Sequence, residues 1–271
     1  MARPLDPIDP AWARLRRHTP ARIGLERAGS GLATREHLSF QLAHARARGA
    51  VHDALDPEPL LEGLRARGLE PLYLRSAAGD RRAYLLRPDL GRRLDERSRD
   101  RLDACPRGHD LVLVVADGLS ARAVQRHALP LIDAALPELR RQHWRIGPAA
   151  VVEQGRVAIG DEIGAALDAA LVAVLIGERP GLTSPDSLGV YLTWAPAIGR
   201  RDAERNCLSN IRPEGMGYAE AAARLIYLLG EARRRQVTGI ALKDEADTAG
   251  RAFGKTRGDA LPASDNRGGQ I

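Results

Sequence analysis

The chain has 271 residues, 44% of them hydrophobic, with 41 basic and 35 acidic side chains, a formal net charge of +6 and a pI near 9.9. That supplies one large or two modest packed domains, and 27 glycines and 17 prolines exclude a coiled coil or a wholly disordered body. No run approaches the roughly 18 apolar residues of a membrane span, and the start Met1-Ala2-Arg3-Pro4 lacks the apolar segment of a secretory signal.

The positive charge is unevenly placed. Residues 1–109 hold 21 arginines against 15 acidic residues, whereas residues 110–271 balance at 20 of each sign. Lysine occurs only at Lys243 and Lys255. A basic segment suits nucleic acid or an acidic protein surface, but 4% aromatic content leaves few platforms for stacking bases. Cys105 and Cys207 make neither a disulfide framework nor a zinc quartet, which suits a reducing cytoplasm.

In residues 1–35, Pro4, Pro7, Pro10, Pro20 and the Gly29-Ser30-Gly31 kink predict an extended arm with one short helix near Trp12–Arg17. Thr34 is a candidate N-cap for a helix to about Arg48, with Glu36 in its first turn. His37, Gln41, His44 and Arg48 share one face of it. No acidic residue falls at matching spacing, so that face reads as solvated or partner-contacting in preference to metal-binding. Residues 57–109 read as a small α/β insert, with strands at Leu72–Leu74 and Tyr84–Leu86 around a Gly79-Asp80 turn. A helix is predicted after Pro88, through Leu90, Leu94 and Leu102, with a mixed-charge face that includes Arg92, Arg93 and Arg99.

The character changes at Asp110. Leu111–Val115 is a continuous apolar run, as expected of a strand covered on both faces in a parallel sheet. It ends at Asp117-Gly118-Leu119-Ser120, where Ser120 can cap a helix. Pro130 and Pro137 predict that this helix is broken into short or kinked pieces. A strand near Ala149–Glu153 turns at Gln154-Gly155 into a second strand, Arg156–Ile159, and a helix opens at Asp161. The second buried strand, Leu171–Ile176, runs into Gly177-Glu178-Arg179-Pro180-Gly181. A strand at Gly189–Trp194 then precedes a polar loop, Arg200–Asn210. The helix predicted from Tyr218 to Gln236 places Ala222, Leu225, Ile226 and Leu229 on one face. The tail after Lys243 reads as disordered.

This order predicts an α/β fold in three parts. Residues 1–109 form a basic N-terminal helical arm and small α/β docking region, 110–243 a doubly wound, Rossmann-like sheet domain, and 244–271 a disordered tail. In such sheets ligands bind beyond the carboxyl ends of the strands, which singles out Asp117–Ser120 and Gly177–Gly181.

The chemistry is sparse. No Gly-x-Gly-x-x-Gly follows the first buried strand and no Gly-x-x-x-x-Gly-Lys-Ser/Thr occurs, which disfavours dinucleotide or ATP binding. Cys207 with His127 or His143 would make a nucleophile pair, but nothing in the spacing joins them, and a packed cysteine is commoner than a reactive one. Glu178 ends a buried strand inside a Gly/Pro-bounded turn. It can accept hydrogen bonds from a ligand or pair with Arg179 or a neighbour, and the residues alone leave both open. With no self-sufficient catalytic set, the chain reads as a subunit supplying half a site. A self-contained nucleotide-binding protein and an arginine-rich nucleic-acid binder are the alternatives.

The runs Asp110–Ser120 (DLVLVVADGLS), Arg156–Gly164 (RVAIGDEIG), Gly177–Leu182 (GERPGL), Asp186–Leu188 (DSL) and Asn206–Ile211 (NCLSNI) resemble the small subunit of ethanolamine ammonia-lyase. Tyr84–Arg93 (YLLRPDLGRR) and Ala45–Val51 (ARARGAV) are similar too, so the likeness spans about residues 12–242. The resemblance implies an adenosylcobalamin-dependent lyase of a hetero-oligomer. Its large subunit, a TIM barrel, carries the substrate site, and the small subunit encloses the cofactor against it. The implied reaction is radical conversion of ethanolamine to acetaldehyde and ammonia. Carried over residue by residue, the implied cofactor contacts are Val157 as an apolar contact, Glu178 as an acceptor and Cys207 as a ligand-facing position, with no catalytic residue on this chain. No Asp-x-His-x-x-Gly occurs, so the cobalamin is expected to keep its own benzimidazole on cobalt. The implied location is cytoplasmic, or within a bacterial microcompartment, where some family members are packaged through a longer N-terminal extension. With this resemblance, the N-terminal arginine excess suits docking to a large acidic partner better than binding nucleic acid.

Overall fold

The computed structural model describes residues 10–245. The chain opens with α1 (Pro10–Leu15), a hairpin of β1 (Arg27–Ala28) and β2 (Gly31–Leu32), and the long α2 (Thr34–His52). Next come α3 (Glu58–Ala66), β3 (Pro71–Arg75), α4 (Arg81–Leu86) and α5 (Glu96–Asp103). The remainder is β4 (Leu111–Ala116), α6 (Ala121–Arg141), β5 (Ala149–Glu153), α7 (Ile159–Ala166), β6 (Leu171–Gly177), β7 (Leu188–Trp194), β8 (Asn206–Ile211) and α8 (Tyr218–Arg235).

Successive strand side chains point to opposite faces, so an unbroken apolar strand must be covered twice. Every residue of β4 and of β6 is buried. Leu111, Leu113 and Val115 pack into one core with residues of α3, α6 and α8, while Val112, Val114 and Ala116 pack into another with α5 and α7. Helices therefore cover both faces of a six-stranded sheet of order β3-β5-β4-β6-β7-β8. The first four strands in this order are parallel, β7 adds antiparallel to β6, and β8 adds antiparallel to β7. The sheet is thus mixed, and the parallel reading holds only for its first part. The segment between β6 and β7 is too short for a crossover helix, so β7 can only fold back on its neighbour.

Several local expectations are corrected. Tyr84–Leu86 is not a strand: Asp80 Oδ1 accepts the Ala83 N–H at 2.7 Å and caps α4, which buries Tyr84. Arg156–Ile159 is not a strand either. Gln154 turns the backbone with φ of 58°, and α7 already begins at Ile159. The helix expected after Pro88 is a single 3-10 turn at Leu90–Arg92 followed by α5, which is capped by Asp95. Pro130 and Pro137 do not break α6, which runs unbroken for 21 residues. Each interior proline costs a helix about 3 kcal/mol. The stripe Val124, Leu131, Ile132, Ala135 and Leu139, buried against the sheet, offsets that cost. The Arg200–Asn210 loop contains most of β8, which the polar residues Asn206, Ser209 and Asn210 disguise.

The boundaries of α2 also move. Ala33, not Thr34, sits at its N-cap, and it extends to His52. The strand expected at Leu72–Leu74 lies within β3 and pairs with β5, at one end of the main sheet. The tail after Lys243 lies outside the described residues except for Asp244 and Glu245, as do Pro4 and Pro7 of the arm.

Candidate functional site

The turns that leave β4 and β6 meet at the carboxyl edge of the sheet. Gly118 has φ of 57°, and any Cβ there would strike the Gly177 carbonyl. A Cβ on Gly177 would in turn strike the Ser120 and Asp117 carbonyls, so both positions need glycine for the turns to approach. Leu119 N–H donates to Gly177 O at 2.9 Å, and Ser120 caps α6 while its hydroxyl donates to Pro185 O at 3.1 Å. These contacts close the floor of an open cleft of about 410 Å³, whose walls include Val157, Ile176, Glu178, Tyr191 and Ser209.

Glu178 is held but not consumed. Its N–H donates to Ser187 O, and its Oε2 accepts the Asn210 N–H at 3.1 Å. Gly189 leaves room for the carboxylate, since a Cβ there would sit 3.0 Å from Oε1. Among the described residues no ion pair joins it to Arg179 or to any neighbouring cation, and its one side-chain partner is the Asn210 N–H. Val157 lies in the turn that follows β5 and lines the same cleft. Cys207 is on β8, opposite Tyr191 in the antiparallel ladder. The structure thus brings Val157 and Glu178 to one cleft, while Cys207 is not among its lining residues and neighbours it next to Tyr191. The Cys207 thiol is pushed above its ordinary range, first by the surrounding protein although the residue as a whole is exposed, and then by the Glu178 carboxylate. It remains a neutral thiol. His127 Nδ1 lies 2.8 Å from the Tyr218 hydroxyl with Asp186 beside the ring, so it is not a base for Cys207.

Three further residues support the cleft and escape sequence reasoning. The buried Tyr84 ring lies between two guanidiniums, Arg81 at 4.6 Å and Arg156 at 4.5 Å from its centroid. Arg81 donates from Nε to Val51 O at 2.6 Å and from Nη1 to Gly118 O at 2.8 Å and Gln154 Oε1 at 3.2 Å. It ties the end of α2 to the turns that follow β4 and β5. Asp117 was legible as the end of a buried strand. Nothing local announces Arg81 and Arg156, because their roles depend on Tyr84 being helical and buried.

Burial pushes the Asp117 carboxyl up to about 6, against the opposing pull of the Gln154 and Gly155 amides and Arg81. Because this folded value exceeds the ordinary 3.8, the native state binds more protons across that interval, and stability falls as pH rises from about 4 to about 6. Thermal melting of Asp117→Asn against wild type should show the difference moving in the variant's favour by on the order of 2–3 kcal/mol between about pH 4 and pH 7. A pH-independent difference would remove this account.

Among the described residues no group of three or more His, Cys, Asp or Glu side chains is placed to hold a metal ion, and no helix is long and apolar enough to cross a membrane. Fold and site together define an α/β protein with an open cleft at the carboxyl edge of its strands and no nucleophile–base pair among the described residues of that cleft. The family model described as Ethanolamine ammonia-lyase light chain (EutC) matches residues 9–243, and the chain belongs to that family. It is 59% identical over 242 residues to the ethanolamine ammonia-lyase small subunit of Azotobacter vinelandii, covering 88% of this chain and 90% of that one. Identity to the small subunit of Xanthomonas campestris pv. campestris is 56% over 251 residues, 91% and 92% of the two chains. For that of Pseudomonas aeruginosa it is 56% over 240 residues, 87% and 88%.

Proposed function

We propose that this chain works with a large partner subunit to enclose adenosylcobalamin, and that the complex converts ethanolamine to acetaldehyde and ammonia by a radical mechanism. The observation that carries this is the open cleft, in which Glu178 Oε1 has no hydrogen-bond partner among the described residues while Oε2 is engaged by Asn210. A corrinoid is an apolar macrocycle fringed with amide donors. Val157 and Ile176 offer it apolar contact, Glu178 offers a fixed acceptor, and Tyr191 and Ser209 add polar edges. At about 410 Å³ the cleft can bury only part of such a molecule, so a second protein must cover the rest.

The cofactor, when bound, supplies a cobalt–carbon bond whose homolysis starts the radical chemistry. This chain's residues bind, orient and exclude water. Val157 and Glu178 hold the ligand directly, and Cys207 bears on it from β8 as a neutral contact. Arg81 and Tyr84 keep the turns after β4 and β5 in register. No Asp-x-His-x-x-Gly motif occurs in this chain, so it would offer the cofactor no histidine of that kind.

Reconstitution tests the proposal. The chain co-expressed with its candidate large subunit should release ammonia from ethanolamine only when adenosylcobalamin is added. Full activity of the large subunit alone would overturn it.

A further inference from the structure

The least explained element is α2. Of its 19 residues only Ala43 and Ala50 are buried. A helix with so little packed surface is marginal in water, because most helical stability in proteins comes from burying a face. Its C-terminal end is nevertheless fixed to the body: Arg81 binds Val51 O, and Arg122 pairs with Asp53 at 2.6 Å. The rest stands away from the sheet. Along its outer side Leu38, Leu42, Ala45 and Gly49 follow one another at helical spacing, all exposed, with Leu38 57% and Leu42 52% accessible. Arg46 and Arg48 flank that stripe.

Charge says what covers it. Residues 10–52 hold eight arginines against only Glu26 and Glu36, an excess of six that equals the net charge of the whole chain. Both glutamates lie against Arg35. A second copy would bring the same positive arm against this one, which disfavours self-pairing. Nucleic acid would use the arginines but leaves exposed leucines without a partner, since its outer surface is phosphate and sugar. The large apolar side chains exposed on α2 are Leu38, Leu42 and Phe40, and Phe40 lies on the opposite side of the helix beside Arg22, so this face presents less than an interfacial membrane helix does. An apolar patch framed by basic side chains fits an acidic protein surface with an apolar centre.

We infer that the outer face of α2 is a docking surface for an acidic, apolar-centred face of the large partner subunit. This rests on the proposed two-subunit function and adds where the contact is made. Because Arg81 links α2 to the turns of the cleft, the docked helix also buttresses the site it helps to enclose.

The test uses the full chain with its candidate large subunit, measuring assembly by analytical ultracentrifugation over a series of salt concentrations. Leu38→Glu/Leu42→Glu should weaken assembly by at least about tenfold, with an unchanged thermal midpoint for the free chain because both side chains are already exposed. Arg46→Gln/Arg48→Gln should weaken it less and flatten its salt dependence. If the wild-type pair fails to assemble, the two-subunit reading itself falls. If it assembles and both variants match it, only the α2 inference falls. The inference is equally overturned if the free chain dimerises through Leu38 and Leu42. Loss of binding to anionic vesicles or to duplex DNA in these variants, with assembly intact, would also overturn it.

Discussion

Replacing Arg205 with methionine should destabilise the chain by about 3–5 kcal/mol and lower its melting temperature by roughly 10 °C. The guanidinium and the Asp161 carboxylate are each only 2% exposed and form two hydrogen bonds of 2.7 Å. Thr193 Oγ1 at 2.8 Å and Arg200 O at 3.0 Å accept the remaining Nη protons. Removing one partner leaves a buried charge unpaired, and that loss outweighs the modest net worth of the intact pair. Asp161→Leu/Arg205→Met, which removes both charges, should therefore recover most of the lost stability. If the double variant melts as low as the single one, unpaired charge is not the cause. The pair also matters to the site. Asp161 lies on α7, just after the turn that carries Val157, and Arg205 immediately precedes β8, which carries Cys207. One ion pair thus links the segments that carry two of the three residues proposed to contact the cofactor.

Glu178→Ala should loosen cobalamin from the assembled complex by roughly 10- to 100-fold, the loss expected for a hydrogen bond to a charged acceptor, while assembly persists. Alanine also deprives the Asn210 N–H of its acceptor, so Glu178→Gln provides the control: its amide oxygen can still receive Asn210 while the charge is gone. Glutamine should fall between wild type and alanine in cobalamin affinity, read by absorbance titration of the complex. Unchanged affinity in the alanine variant would remove Glu178 from the cofactor contacts.

The buried strands β4 and β6 and their glycine-bearing turns were legible because a parallel strand covered on both faces must be apolar at each position. Once those turns are located, Glu178 follows as the carboxylate at the strand end. Elements whose state depends on distant partners were misread. Tyr84–Leu86 has strand-like composition, and only the Asp80 cap and the burial of Tyr84 make it helical. The prolines of α6 announce a break that packing against the sheet overrides. β8 hid among polar residues because only Leu208 and Ile211 turn inward. The cofactor roles proposed for Val157 and Cys207 rest on family resemblance, not on any local pattern. Arg81 and Arg156 came from neither, since their partners lie far away along the chain.

The position of β8 has a consequence for solubility. It is the last strand of the sheet, and a last strand offers unpaired amides on which another chain can extend a ladder. Here that growth is blocked at both ends. Residues 238–242 strap across its start, where Asn206 Nδ2 donates to Leu242 O at 2.7 Å and Gly239 N–H donates to Asn206 Oδ1 at 2.8 Å. At its far end Asn210, with φ of 57°, bends the backbone out of the extended form that strand addition requires. The edge that carries Cys207 is therefore also guarded against aggregation, and it can remain short and polar without inviting a neighbour.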